Sequence, residues 1–135
     1  MRIRRARVAR QTDRLEECER FYADLLGLPV LARFTAHAGY EGVILGLPGI
    51  AAELELTRHA SGSAASPSAP DDLVVLTLDR KEAVEALAER LAAAGIEPVP
   101  PVNPGWADRA LVVPDPDGRL VVLAWDVVDD DALFG

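Results

Sequence analysis

Histidine and cysteine are scarce in this chain, which holds two histidines and one cysteine in 135 residues. That shortage excludes a Cys/His zinc cluster at any standard ligand spacing, and a lone thiol cannot close an internal disulfide. Cys18 falls on the apolar stripe of a helix and reads as a small buried hydrophobe, not a nucleophile. Long hydrophobic runs are missing as well: no stretch approaches the roughly 20 apolar residues that cross a bilayer. The arginine-rich opening has no apolar run behind it of the signal-peptide kind. A cytoplasmic location without membrane contact is the expectation. There is no glycine-rich phosphate loop, since "GLPG" (residues 46–49) is short and reads as a hairpin turn, and no serine lies in a nucleophile elbow. Phosphoryl transfer and dinucleotide chemistry are set aside.

Positive charge is also in deficit, with 14 basic residues against 22 acidic ones and a net charge of -8. Duplex binding depends on neutralising phosphates with a basic face, so no nucleic-acid partner is expected. The exception is "RIRRARVARQ", residues 2–11, with five arginines. Its partial alternation and the acidic remainder argue for a strand rather than a basic arm. Much of the acidity lies in "DVVDDDALFG", which predicts a solvated tail over 127–135.

What is present is a pattern stated twice. Half the residues are apolar, enough for one good core and one domain of 1–135. The strand "RARVARQ" leads into a helix with Leu15, Cys18, Tyr22, Leu25 and Leu26 on one stripe. Asp13 and Glu16 form a capping pair at its start, and Gly27 stops it. The extended segments "PVLARFT", "YEGVILGL" and "AAELELT" follow, the last two joined by a Pro48–Gly49 turn. After the small-residue linker 61–70 the order repeats. "DLVVLTL" is a strand, a helix capped by Asp79 and Glu82 ends at Gly95, and "IEPVP", "RALVV" and "RLVVLAW" are further strands. Asp13 to Asp79 and Glu16 to Glu82 are each 66 residues apart, and Gly27 to Gly95 is 68. The spacing predicts an α+β fold of two tandem βαβββ modules with curved, cup-like mixed sheets, module 1 at about 1–60 and module 2 at about 71–126. Each open sheet needs a covered second face. A homodimer is expected on that ground, with modules paired within one chain or swapped between chains.

Two segments carry a family resemblance: "TDRLEECERFYADLLGLPV" (residues 12–30) and the D-P-D-G hairpin of "PDPDGRLVVLAW" (residues 114–125). The chain resembles the vicinal oxygen chelate superfamily, which includes glyoxalase I, bleomycin-resistance proteins and extradiol dioxygenases, over essentially its whole length. The resemblance implies a divalent metal held by side chains on the first and last strands of each module. Carried over, those positions are Arg7, Glu55, Leu73 and Val122. Only Glu55 is a metal ligand, and a register error of one residue gives no better set. No metal and no cofactor are therefore expected.

Strand alternation places Arg5 beside Arg7, and Glu53 beside Glu55, on the ligand-facing side. The equivalent face of module 2 carries Leu73, Val75, Thr77, Leu120, Val122 and Ala124, giving one charged and one apolar half. Arg7 is expected to pair with Glu55 where relatives hold metal; the alternative is two strand-mouth charges in water. Phe21, Tyr22 and Trp125 read as core. Phe34, Tyr40 and Trp106 lie where a flat ligand can stack, or where they simply pack. His37, in "TAHAGY", overhangs the site or sits in solvent, and His59 reads as a solvated loop residue. The leading function is a metal-independent binding protein of the bleomycin-resistance type, sequestering a small organic molecule or natural product in the cup or in a groove between subunits. The alternative is a divergent lyase, isomerase or dioxygenase-like enzyme that uses Glu55. Glu53 and Glu55 suit a cationic ligand and Arg5 and Arg7 an anionic one, which leaves its sign open.

Overall fold

Apolar residues at every second position of "GVILGL" and "AELELT" build the central strands of the first unit, because alternate side chains then share one buried face. The computed structural model describes residues 1–62, 69, 70 and 72–125, without the side chains of residues 36 and 37. The linker therefore falls largely, and the acidic tail wholly, outside the described residues. The chain divides into two compact units, Met1–Pro67 and Ser68–Gly135.

Unit 1 holds strand β1 (Ala6–Gln11), helix α1 starting at Leu15–Glu19, and strands β2 (Val30–His37), β3 (Tyr40–Gly46) and β4 (Ala52–His59). They form a mixed sheet in the order β1-β4-β3-β2, with β1 parallel to β4 and the other neighbours antiparallel. The expected single helix continues into a π-helical turn over Arg20–Leu25, where the Leu26 N–H reaches the Phe21 carbonyl at 3.0 Å. This turn brings both Phe21 and Tyr22 into the core, ring edge against ring face at 4.8 Å. Val43, Leu45, Leu54 and Leu56 are buried on the sheet face whose parity faces α1, and Cys18 is buried on the helix. The Thr12 hydroxyl and the Cys18 thiol meet at 3.4 Å inside this core, which fits the packing role expected of that cysteine.

Unit 2 holds β5 (Val74–Leu78), α2 (Lys81–Ala93), β6 (Ala110–Pro114) and β7 (Leu120–Trp125), in a mixed sheet of order β5-β7-β6. Each unit thus follows the β-α-β plan that the duplication predicts. Gly27 and Gly95 both take positive φ, 83° and 81°, as helix-stopping glycines do. Two expectations need correction. "IEPVP" contributes only an isolated bridge, Val99 to Val112, because Pro98 and Pro100 flank Val99 without N–H groups to extend a ladder. The N-cap positions are Arg14 and Arg80, not Asp13 and Asp79, and neither carries a side-chain cap bond. A long guanidinium stem does not turn back on the first-turn amides as a short Asp does. At the first helix the Thr12 hydroxyl instead accepts from the Arg14 N–H at 2.9 Å.

Charge ties α1 to its sheet. Arg58, on the helix side of β4, donates to both Glu16 oxygens at 2.8 Å and, through Nε, to Glu41 of β3 at 2.8 Å. The Arg58 guanidinium holds the Glu16 carboxyl below its ordinary 4.5. A carboxyl lowered by folding contributes stability that is present above its unfolded value and lost as pH falls through the folded one. Glu16→Gln should therefore lower stability at neutral pH and flatten the acid limb, the difference from the wild type vanishing as pH falls well below about 4.5, as read from urea melts across pH. The effect should be small and salt-sensitive, because Glu16 is 69% exposed.

Among the described residues no helix is long and apolar enough to cross a membrane.

Candidate functional site

Side chains directly opposed across an antiparallel pair share a face. The register Ile44↔Glu55, Gly42↔Thr57 and Phe34↔Gly42 therefore gathers Phe34, Ile44, Glu55 and Thr57 on the face of the unit 1 sheet opposite α1. Tyr40 shares that face, opposed to His59. The β2–β3 register shifts between Phe34 and His37, and this irregularity adds Thr35 to the lining. The result is a cleft of about 700 Å³ lined by Phe34, Thr35, Tyr40, Ile44, Glu55 and Thr57.

Gly42 makes the floor. A Cβ there would lie 2.7 Å from Phe34 Cζ and closer still to the Leu56 carbonyl oxygen, so only glycine lets the Phe34 ring lie over β3. Gly42→Ala should cost about 1–3 kcal/mol through overpacking, seen as a lower urea midpoint with an unchanged m-value.

At the strand next to the cleft, arginines and glutamates interlock. Arg7 is in register with Glu53, and the small Ala9 is in register with Glu55, leaving the flank of Glu55 open to the Arg7 side chain. Arg7 Nε and Nη2 each lie 2.7 Å from Glu53 Oε2, and Arg7 Nη1 lies 3.0 Å from Glu55 Oε1. Arg5 Nε lies 3.0 Å from Glu53 Oε1. The Glu53 side chain is only 6% exposed, and the Arg7 hydrogen bond with the nearby Arg5 charge offsets the penalty that burial imposes on its carboxylate. The same carboxylates, Glu53 first, push the Arg7 guanidinium further up.

The candidate residues thus divide. Arg5, Arg7, Glu53 and Glu55 form one network, and Phe34 and Tyr40 join Glu55 in the cleft lining. Trp106 lies in unit 2, in the turn Pro104–Trp106, where it packs on the cluster of Ala110, Val112, Val122 and Ala124 with Arg109 over its ring at 5.7 Å. The His37 side chain lies outside the described residues. Three lining residues were missed as candidates, Thr35, Ile44 and Thr57, and the reading of His59 as a solvated loop residue needs correction. Ile44 and Thr57 share parity with chosen residues, so alternation alone offered that signal. His59 ends β4 as a half-buried residue, its ring edge-on to Tyr40 at 4.7 Å, with Nδ1 accepting from the Ser61 N–H at 3.1 Å.

The divalent metal implied by the superfamily does not fit these residues. Of its two unit 1 positions one is Arg7 itself, whose guanidinium donates hydrogen bonds and coordinates nothing, and the other, Glu55, is engaged by that guanidinium. In unit 2 the corresponding Leu73 and Val122 belong to a packed apolar cluster. Among the described residues no group of three or more His, Cys, Asp or Glu side chains is placed to hold a metal ion.

Comparison with known proteins matches residues 6–57 to the YycE-like N-terminal domain and residues 71–125 to the YycE-like C-terminal domain. The uncharacterized protein YycE of Bacillus subtilis (strain 168) is 36% identical over 116 residues, covering 86% of this chain and 84% of that one. The crystal structure of a YycE protein of unknown function from Bacillus subtilis superposes with a TM-score of 0.85 at 33% identity, over 94% of this chain and 93% of that one. A glyoxylase/bleomycin resistance protein/dioxygenase domain from Frankia sp. EAN1pec gives a TM-score of 0.72 at 20% identity, over 90% and 95%. TnmS3, an antibiotic binding protein from Streptomyces sp. CB03234, gives 0.65 at 23% identity, over 90% and 93%. The last two share the fold alone.

Proposed function

Since the chain belongs to the YycE-like family, within the glyoxalase/bleomycin-resistance fold of the vicinal oxygen chelate superfamily, we propose that it sequesters a small organic molecule without the help of a metal. The observation that carries this reading is the unit 1 cleft. Its volume of about 700 Å³ suits a small-molecule site, which typically spans about 300–1,000 Å³ with a few polar groups on an apolar lining. Phe34 and Tyr40 offer ring faces to a flat ligand, while Glu55, Thr35 and Thr57 offer oxygens to its N–H or O–H groups. Arg5 and Arg7 are spent on Glu53 and Glu55, which favours a neutral or cationic ligand over an anionic one. A natural product of antibiotic type falls in that class. Action in the cytoplasm as a homodimer belongs to the same proposal, and light scattering on the purified chain tests the dimer.

The experiment is a thermal-shift screen of planar cationic, neutral and anionic compounds, α-keto acids among them, in EDTA. A ligand at 100 times its Kd adds about 2.7 kcal/mol, several degrees for a chain of this size. The proposal expects cationic or neutral aromatic hits whose shifts persist in EDTA. Shifts confined to α-keto acids, or abolished by EDTA, would sink it.

A further inference from the structure

We infer that Arg7, with Arg5 beside it, is the resident cation of this site: their two guanidinium charges hold the Glu53 and Glu55 carboxylates as one divalent ion would, and keep such ions out. The charges balance, two against two, and Glu53 Oε1, Glu53 Oε2 and Glu55 Oε1 each lie within 3.0 Å of a guanidinium nitrogen. Glu53 Oε1 meets Arg5, Glu53 Oε2 meets two nitrogens of Arg7, and Glu55 Oε1 meets the third. Arg7 bridges both carboxylates, whose strand positions are two residues apart on one face of β4.

A guanidinium differs from a bound ion in two ways that matter here. It is part of the chain and stays ionised at any working pH, so neither a chelator nor mild acid removes it. It also presents N–H groups with fixed directions and no open coordination position. It can orient the Glu55 carboxylate for a ligand donor, but it cannot take a ligand oxygen into a coordination shell. An incoming divalent ion would have to displace a tethered positive charge from contact distance while two like charges remain nearby. The inference concerns the β1–β4 charge group and holds whatever ligand the cleft takes.

The test uses Mn²⁺ as the probe and the electron-paramagnetic-resonance signal of free Mn²⁺ as the readout, on the full chain and on Arg7→His and Arg7→Gln. Imidazole and amide are neutral donors that release Glu55 and Glu53 Oε2 to coordinate a hard ion, with Arg5 left on Glu53 Oε1. Both variants should bind Mn²⁺ at least about tenfold more tightly than the wild type, which should leave the ion free. Adding Glu55→Gln to either variant should reverse the gain. Circular dichroism follows folding, and a variant that folds only with Mn²⁺ also supports the inference. It is overturned if the wild type binds one Mn²⁺ per chain as tightly as the variants, or if neither variant takes up Mn²⁺ in any state. Ligand binding in EDTA is a separate readout, so this inference and the proposed function fail independently.

Discussion

Truncating Phe34 to alanine is expected to weaken ligand binding ten- to a hundredfold, about 1.4–2.8 kcal/mol, while the chain stays folded. Phe34 is a half-buried wall of the cleft, and its ring rests over Gly42, where no other side chain fits beneath it. Its removal takes away a stacking face and opens the floor to water, so a flat ligand loses both contact area and shelter. Tyr40, at 37% exposure, is the more accessible of the two rings, and its edge-on contact with His59 sets its orientation. Tyr40→Ala should therefore cost less than Phe34→Ala. Isothermal titration with the best thermal-shift ligand reads both numbers. Equal affinity in wild type and Phe34→Ala would remove the cleft from the account.

The largest effect on stability is expected at Phe21. This ring is 1% exposed on the π-helical turn, edge-on to the fully buried Tyr22, and both belong to the core that α1 brings to its sheet. Phe21→Ala removes the ring and leaves a cavity beside the buried Tyr22. A loss of about 3–5 kcal/mol is expected, a large share of the 5–15 kcal/mol that holds a typical domain. Urea denaturation at neutral pH checks it. A loss below about 1 kcal/mol would mean that the turn repacks and that the ring is not part of the core.

These expectations rest on features of unequal legibility in the sequence. Gly27 and Gly95 announce their helix ends because left-handed backbone is easy only for glycine, and the structure puts both there. Strand parity places Glu53 and Glu55 on one face with Arg7 in register beside Glu53, because a two-residue period has no drift over so short a strand, while Arg5 reaches the same carboxylate from just before β1. Thr35 was hidden, since it reaches the cleft through a register shift that breaks parity. Thr57 obeys parity, but a threonine bears no chemical signature that separates a ligand contact from an ordinary strand residue. The π-helical turn was invisible too, because apolar spacing fits an α-helix nearly as well, and it takes hydrogen bonds such as Leu26 to Phe21 to show the wider ring. The Asp13 and Asp79 caps failed by a single position, the usual margin at helix ends. Trp106 had no parity to read, because it lies in a turn and covers an apolar cluster assembled from β6 and β7.

The central claim is that the unit 1 cleft binds its ligand with no metal present. Amide chemical-shift mapping of the isotope-labelled chain, titrated in EDTA with the best thermal-shift ligand, tests it most directly. The account predicts saturable shifts centred on Phe34, Thr35, Tyr40, Ile44, Glu55 and Thr57, with α1 and the β5–β7 sheet little changed. Shifts centred on unit 2, or appearing only after a divalent ion is added, would contradict it.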